Sequence, residues 1–303
     1  MARTQLINRL AVVPVTFLLL VTSAMAQQVR DPLNPDAPPR EPATQDRPAT
    51  GADLSGAGDR IQAQDYEGAL GLLEPQLERF PDDSSLLLML GEVRLALNRP
   101  EPALVVLAHG SEIEPVLPRM QFQKGAALIA LGRPEEALLA FQAEIENNDD
   151  LEIIVLSLLN RAFLLQNLKR WEEAAAELIQ VTDRDPARIE VFGDAASLYI
   201  QASQPDKAET VLAAGLEKGF RSPQHFYSLG ASFYKKRLYD KAASAYRQCL
   251  EIKPSFANAE RGLGLALEKA GKEDEAVAHF RKYLELKPKA RDRDQILEAI
   301  GTD

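Results

Sequence analysis

Residues 222–254 read SPQHFYSLGASFYKKRLYDKAASAYRQCLEIKP. Phe226, Leu229, Gly230 and Phe233 recur at helical spacing and make one apolar face. The charged turn KKRLYDK follows, and Ala242, Tyr246 and Cys249 then mark a second face that Pro254 ends. The spacing predicts two amphipathic helices of about a dozen residues each, placed back to back.

The pattern recurs in both directions. The next copy carries Leu263, Gly264, Leu267, Ala276, Phe280, Tyr283 and Pro288. Earlier copies hold Ala196, Tyr199, Ala208 and Leu212, then Ala162, Leu165, Ala174, Leu178 and Pro186. Gly125, Leu128, Ala137 and Phe141 come before these, preceded by Leu90, Gly91, Ala103, Leu107 and Pro115. The faintest copy has Ala57, Ala69, Leu73 and Pro81. The second-helix alanines fall at 69, 103, 137, 174, 208, 242 and 276, a period of 34 interrupted once by 37. A first-helix slot is Gly or Ala in every copy: Ala57, Gly91, Gly125, Ala162, Ala196, Gly230 and Gly264. Glycine inside a helix costs about 1 kcal/mol relative to alanine, so its repeated use points to close packing.

Aromatic, x2, Leu-Gly, x2, aromatic, then Ala-x3-aromatic and Pro resembles the tetratricopeptide repeat. The resemblance covers residues 51–290 and implies an all-α, right-handed superhelical solenoid of about seven helix-turn-helix repeats. Ile296, Leu297 and Ile300 give a short amphipathic segment in 291–303, read as a capping helix near 292–300. Residues 147–150 (Asn-Asn-Asp-Asp) hold the insertion and lack the closing proline, so a break in the array is expected near 147–152.

Residues 1–26 read as a secretory signal peptide. Arg3 and Arg9 precede an uncharged run from Leu10 to Thr22, and Ala24-Met25-Ala26 is a small-x-small cleavage signal. The run is shorter than the roughly 20 residues of a spanning helix, so no membrane span is expected after cleavage behind Ala26. Residues 27–50 contain six prolines and favour polyproline II, as a spacer, docking tail or processing remnant.

The formal net charge of −10 disfavours nucleic acid and anionic membrane surfaces as partners. His109, His225 and His279 lie in different repeats without metal-binding spacing, and Cys249 reads as a buried small hydrophobe. GLGLALEKAGK at 262–272 follows a helix break, not a strand, and the repeat already explains Gly264. These observations give no catalytic set, metal or cofactor, and an enzyme is not expected.

The resemblance implies that the first helix of each repeat lines an inner groove. Its groove slots fall here on Leu88, Phe122, Ile129, Leu159, Phe163, Ile200, Tyr227 and Tyr234, with Arg119 and Gln166 among the polar members. An apolar and aromatic lining of this kind suits a protein or extended-peptide partner. Packing of the same side chains between repeats is the alternative. The family's carboxylate clamp for chaperone tails is absent: Leu88 and Glu92, or Phe122 and Ala126, stand where it needs Lys and Asn. The resemblance implies a non-catalytic scaffold or adaptor of the bacterial periplasm or envelope. A self-associating component of an envelope assembly is the alternative.

Overall fold

The structure, a computed structural model, describes residues 51–301. The expected signal peptide and proline-rich linker lie outside the described residues. Fifteen helices and no strand are present among the described residues. Seven hairpins follow in order: α1 (Ser55–Gln62) with α2 (Tyr66–Arg79), α3 (Ser84–Ala96) with α4 (Pro100–Gly110), and α5 (Met120–Ala130) with α6 (Pro134–Asn147). Next come α7 (Leu151–Asn167) with α8 (Trp171–Arg184), α9 (Val191–Gln201) with α10 (Pro205–Glu217), α11 (Pro223–Lys235) with α12 (Tyr239–Ile252), and α13 (Ala257–Lys269) with α14 (Glu273–Leu286). α15 (Arg293–Ala299) is the expected cap.

Two compact units divide the chain, Met1–Ser157 and Leu158–Asp303, and the division falls inside α7. The three-residue insertion does not make a longer loop. Ala162 is the twelfth residue of α7, whereas Gly91, Gly230 and Gly264 are each the eighth residue of their helices. The insertion thus adds about one turn to the start of α7, at 3.6 residues per turn.

Each hairpin turns through one left-handed residue. Gln64, Asn98, Gly132, Lys169, Ser203, Arg237 and Gly271 all have φ between 56° and 76°. Two backbone bonds close each turn. In the sixth hairpin, Leu238 N–H donates to Phe233 O at 3.0 Å and Arg237 N–H to Tyr234 O at 2.9 Å. This is the Schellman ending, which satisfies carbonyls that the helix end leaves open. Prolines then start α4, α6, α10 and α11, where a missing N–H costs no helical bond.

The small-residue slots are explained by volume exchange within a hairpin. A Cβ added at Gly125 would lie 2.8 Å from the Phe141 ring, at Gly230 2.7 Å from Tyr246, and at Gly264 2.6 Å from Phe280. At Gly91 it would lie 2.4 Å from Leu107. Each of these large residues comes four places after a second-helix alanine, one turn further along. Where the first helix carries alanine instead, at 57, 162 and 196, the matching residue is always leucine: Leu73, Leu178 and Leu212. The second-helix alanines are themselves at most 2% exposed. The expected close crossing is correct, but the first-helix slot is kept small by the opposing side chain.

Candidate functional site

The groove slots divide between the two units. In the first, Leu88 and Ile129 are half-buried, and Leu88 packs on the core of Leu86, Leu90 and Leu107. Phe122 does not line a groove. It is 4% exposed and meets Phe141 edge-on at a centroid distance of 5.4 Å. The glycine at 125 opens the space beside Phe141, and Phe122 on the same helix closes it.

Arg119 is likewise occupied. Its guanidinium pairs with the nearly buried Glu92, which also accepts from Gln123 Nε2 at 3.0 Å. Burial pushes the Glu92 carboxyl up, while Arg119 and Gln123 oppose that shift. Beside this pair, the buried Glu144 accepts from the backbone N–H of Arg119 at 2.7 Å and of Phe122 at 2.8 Å. A carboxylate from α6 therefore caps α5, whose own cap residue, Arg119, is left-handed and has no side-chain cap bond. The spacing of Glu144 gave no sign of this, because the cap comes from a different helix.

The second unit brings two expected residues together. Tyr227 and Tyr234 on α11 line one pocket of about 380 Å³. Ala231 on the same helix, Asn258, Arg261 and Leu265 on α13, and the rings of Tyr246 and Tyr283 complete it. Tyr227 lies 5.8 Å from Tyr246 and 5.4 Å from Phe256, centroid to centroid. The Tyr246 ring is admitted by glycines on both sides: a Cβ at Gly230 would come within 2.7 Å of it, and one at Gly262 within 2.6 Å. Burial raises the Tyr246 hydroxyl well above the usual phenol range, so it stays protonated at neutral pH. Asn258, Arg261 and Leu265 occupy in the seventh repeat the slots that were expected to matter in earlier repeats. Tyr246 and Tyr283 come from second helices, which the groove rule omits.

Asp292, the cap residue of α15, ties the end of the array to this pocket. Its carboxylate accepts from Tyr283 Oη at 2.8 Å and pairs with Arg261. Burial would raise the Asp292 carboxyl, but the Tyr283 and Arg261 bonds hold it below the usual carboxylate range.

Leu159, Phe163, Gln166 and Ile200 are all half-buried. A separate cleft of about 580 Å³ lies between α8, α9 and α10, lined by Phe192, Tyr199, Val211 and Lys207. Its Lys207 is paired with Glu172 and lies over the Tyr199 ring at 5.6 Å. Among the described residues, no group of three or more His, Cys, Asp or Glu is placed to hold a metal ion. No helix among them is long and apolar enough to cross a membrane.

Two family models described as tetratricopeptide repeat match the chain, one over residues 227–291 and the other over 60–121 and 165–231. No curated protein matches the sequence. Among solved structures, the Naa15/Naa10 complex bound to HypK-THB aligns with a TM-score of 0.64 at 14% identity. That alignment covers 82% of this chain but only 39% of the Naa15/Naa10 chain. A tetratricopeptide repeat protein from Parabacteroides merdae aligns over 82% of this chain and 97% of its own, at 15% identity and a TM-score of 0.45. A repeat protein from Cytophaga hutchinsonii aligns over 69% and 83%, at 18% identity and a TM-score of 0.44. The matched segments together span more than half of the sequence, and the described residues form seven helical hairpins: the chain belongs to the tetratricopeptide repeat family.

Proposed function

We propose that this protein is a non-catalytic interaction scaffold that holds an extended segment of a partner protein against the inner helix faces of its repeats. The observation that carries this reading is the tyrosine pocket between α11 and α13. Its half-exposed Tyr227 and Tyr234 offer flat apolar faces with polar tips, the combination that anchors most tight interfaces. The apparent signal sequence at residues 1–26 supports work in the bacterial periplasm or envelope, with an envelope protein as the partner.

The test uses Ala231, an exposed residue on the pocket wall. Ala231→Arg fills the mouth without touching the core. The immobilised wild-type protein is expected to retain an envelope protein that the variant, with unchanged helix content and melting temperature, does not. Equal retention by both proteins contradicts the reading.

A further inference from the structure

The prolines of the segment before the first hairpin are spaced like a binding motif. Pro32, Pro35 and Pro38 recur every third residue, as do Pro39 and Pro42. Polyproline II has three residues per turn, so in that conformation prolines at this spacing would share one edge, roughly 9.3 Å apart at about 3.1 Å per residue. Tyr227 and Tyr234 lie seven residues apart on α11. At about 1.5 Å per residue, that is roughly 10.5 Å along one helix face. The two spacings agree to about one ångström.

The chemistry matches as well. A proline has no N–H, so a proline-rich segment presents carbonyls that seek donors and rings that seek flat apolar faces. The pocket supplies the faces of Tyr227 and Tyr234, their hydroxyls and the amide of Asn258. Residues 32–42 carry Asp36 and Glu41 against Arg40, and exposed Lys235 and Lys236 directly follow Tyr234.

We infer that the tyrosine pocket of one copy receives the proline-rich segment, residues 32–42, of a second copy. This rests on the reading of the inner face as a peptide site. The segment precedes the first hairpin, whereas the pocket lies in the sixth and seventh. One such pairing uses the tail of one copy and the pocket of the other, leaving the first copy's pocket and the second copy's tail unused. It is therefore a head-to-tail contact, and further copies add through the unused tail and pocket.

The test is sedimentation velocity of the full chain over a concentration series, with complementary variants. The tail variant is Pro32→Ala with Pro35→Ala and Pro38→Ala. The pocket variant is Tyr227→Ala with Tyr234→Ala. Because Tyr227 stacks on Tyr246 and Phe256, Ala231→Arg serves as a second pocket variant that leaves the stack intact. Wild type is expected to grow in sedimenting size with concentration, and each variant to self-associate at least about tenfold more weakly. An equimolar mixture of tail and pocket variants contains one intact pocket and one intact tail, and should give one-to-one complexes and nothing larger. A wild type that stays monomeric, a tail variant that assembles normally, or a segment that photo-cross-links only within its own chain overturns the inference. If wild type stays monomeric while Ala231→Arg still releases a captured envelope protein, the inner-face reading stands and this inference falls.

Discussion

Gly264→Ala tests the volume exchange that fixes the repeat register. Taken alone, alanine in place of glycine inside a helix should gain about 1 kcal/mol. Here the new methyl would lie 2.6 Å from Phe280 Cε1, 2.7 Å from Cδ1 and 3.1 Å from Cζ, and Phe280 is 1% exposed. Overpacking of this kind costs about 1–3 kcal/mol, so the net change is a loss of up to about 2 kcal/mol. Phe280→Leu alone leaves unfilled volume and should cost about 1–2 kcal/mol. The double variant recreates the alanine–leucine pairing seen at Ala162 and Leu178, so each change should relieve the other by about 1–3 kcal/mol. Gly71 in α2 is the control, because a Cβ there would meet nothing within 4 Å. Urea midpoints by far-ultraviolet circular dichroism would be compared for all five proteins. Additive changes in the double variant, or stabilisation by Gly264→Ala equal to that by Gly71→Ala, would refute the exchange.

Three further outcomes are expected. Arg237→Gly should stabilise the protein by about 1 kcal/mol and so raise the urea midpoint, because a left-handed conformation costs a side-chain-bearing residue about 1–2 kcal/mol; an unchanged midpoint contradicts this. Burial, aided by the nearby Glu190, pushes the Asp194 carboxyl up to about 6. A raised carboxyl favours the neutral form, so its contribution to stability is present at low pH and lost as pH rises through about 6. Asp194→Asn should therefore stabilise by about 1–2 kcal/mol at pH 7 and have little effect near pH 4, read from thermal melts at both values. The Asp292 carboxyl is held low, so its stabilising effect is present above the usual carboxylate value of about 3.9 and fades as pH falls below it. Asp292→Ala should speed hydrogen exchange in 292–301 at neutral pH and leave α11 and α12 unchanged.

The hairpins, the cap and their register were legible because the fold repeats one physical demand seven times. A small residue must face a large one at each pairing, and the 34-residue period exposes it. The turns were less legible. Their left-handed position holds Gln64, Lys169, Ser203 and Arg237 as readily as Gly132 and Gly271, because the backbone bonds of the helix ending impose the conformation. Phe122 misled for a related reason: its slot is inner by sequence, but the glycine at 125 lets Phe141 reach across and draw it into the core. Arg119 occupies a groove slot yet is neutralised by Glu92, a pairing between residues 27 apart that no local pattern marks. Tyr227 and Tyr234 were placed by the repeat period alone, seven residues apart on one face of the first helix, and both line the pocket between α11 and α13. Tyr246 and Tyr283 were not, since their helices were assigned to packing.

Thiol protection tests the inner-face reading most directly. Cys249 is fully buried and burial pushes its thiol up to about 11, so the native cysteine should not react in the folded protein. Single thiols would be introduced as Ala231→Cys at the pocket mouth and Ser244→Cys on the exposed side of α12. Alkylation rates would be measured with and without the captured envelope protein. The expected result is slowed alkylation of Ala231→Cys with Ser244→Cys unchanged. Protection of Ser244→Cys while Ala231→Cys reacts at its free rate would place binding on the opposite face and contradict the assignment.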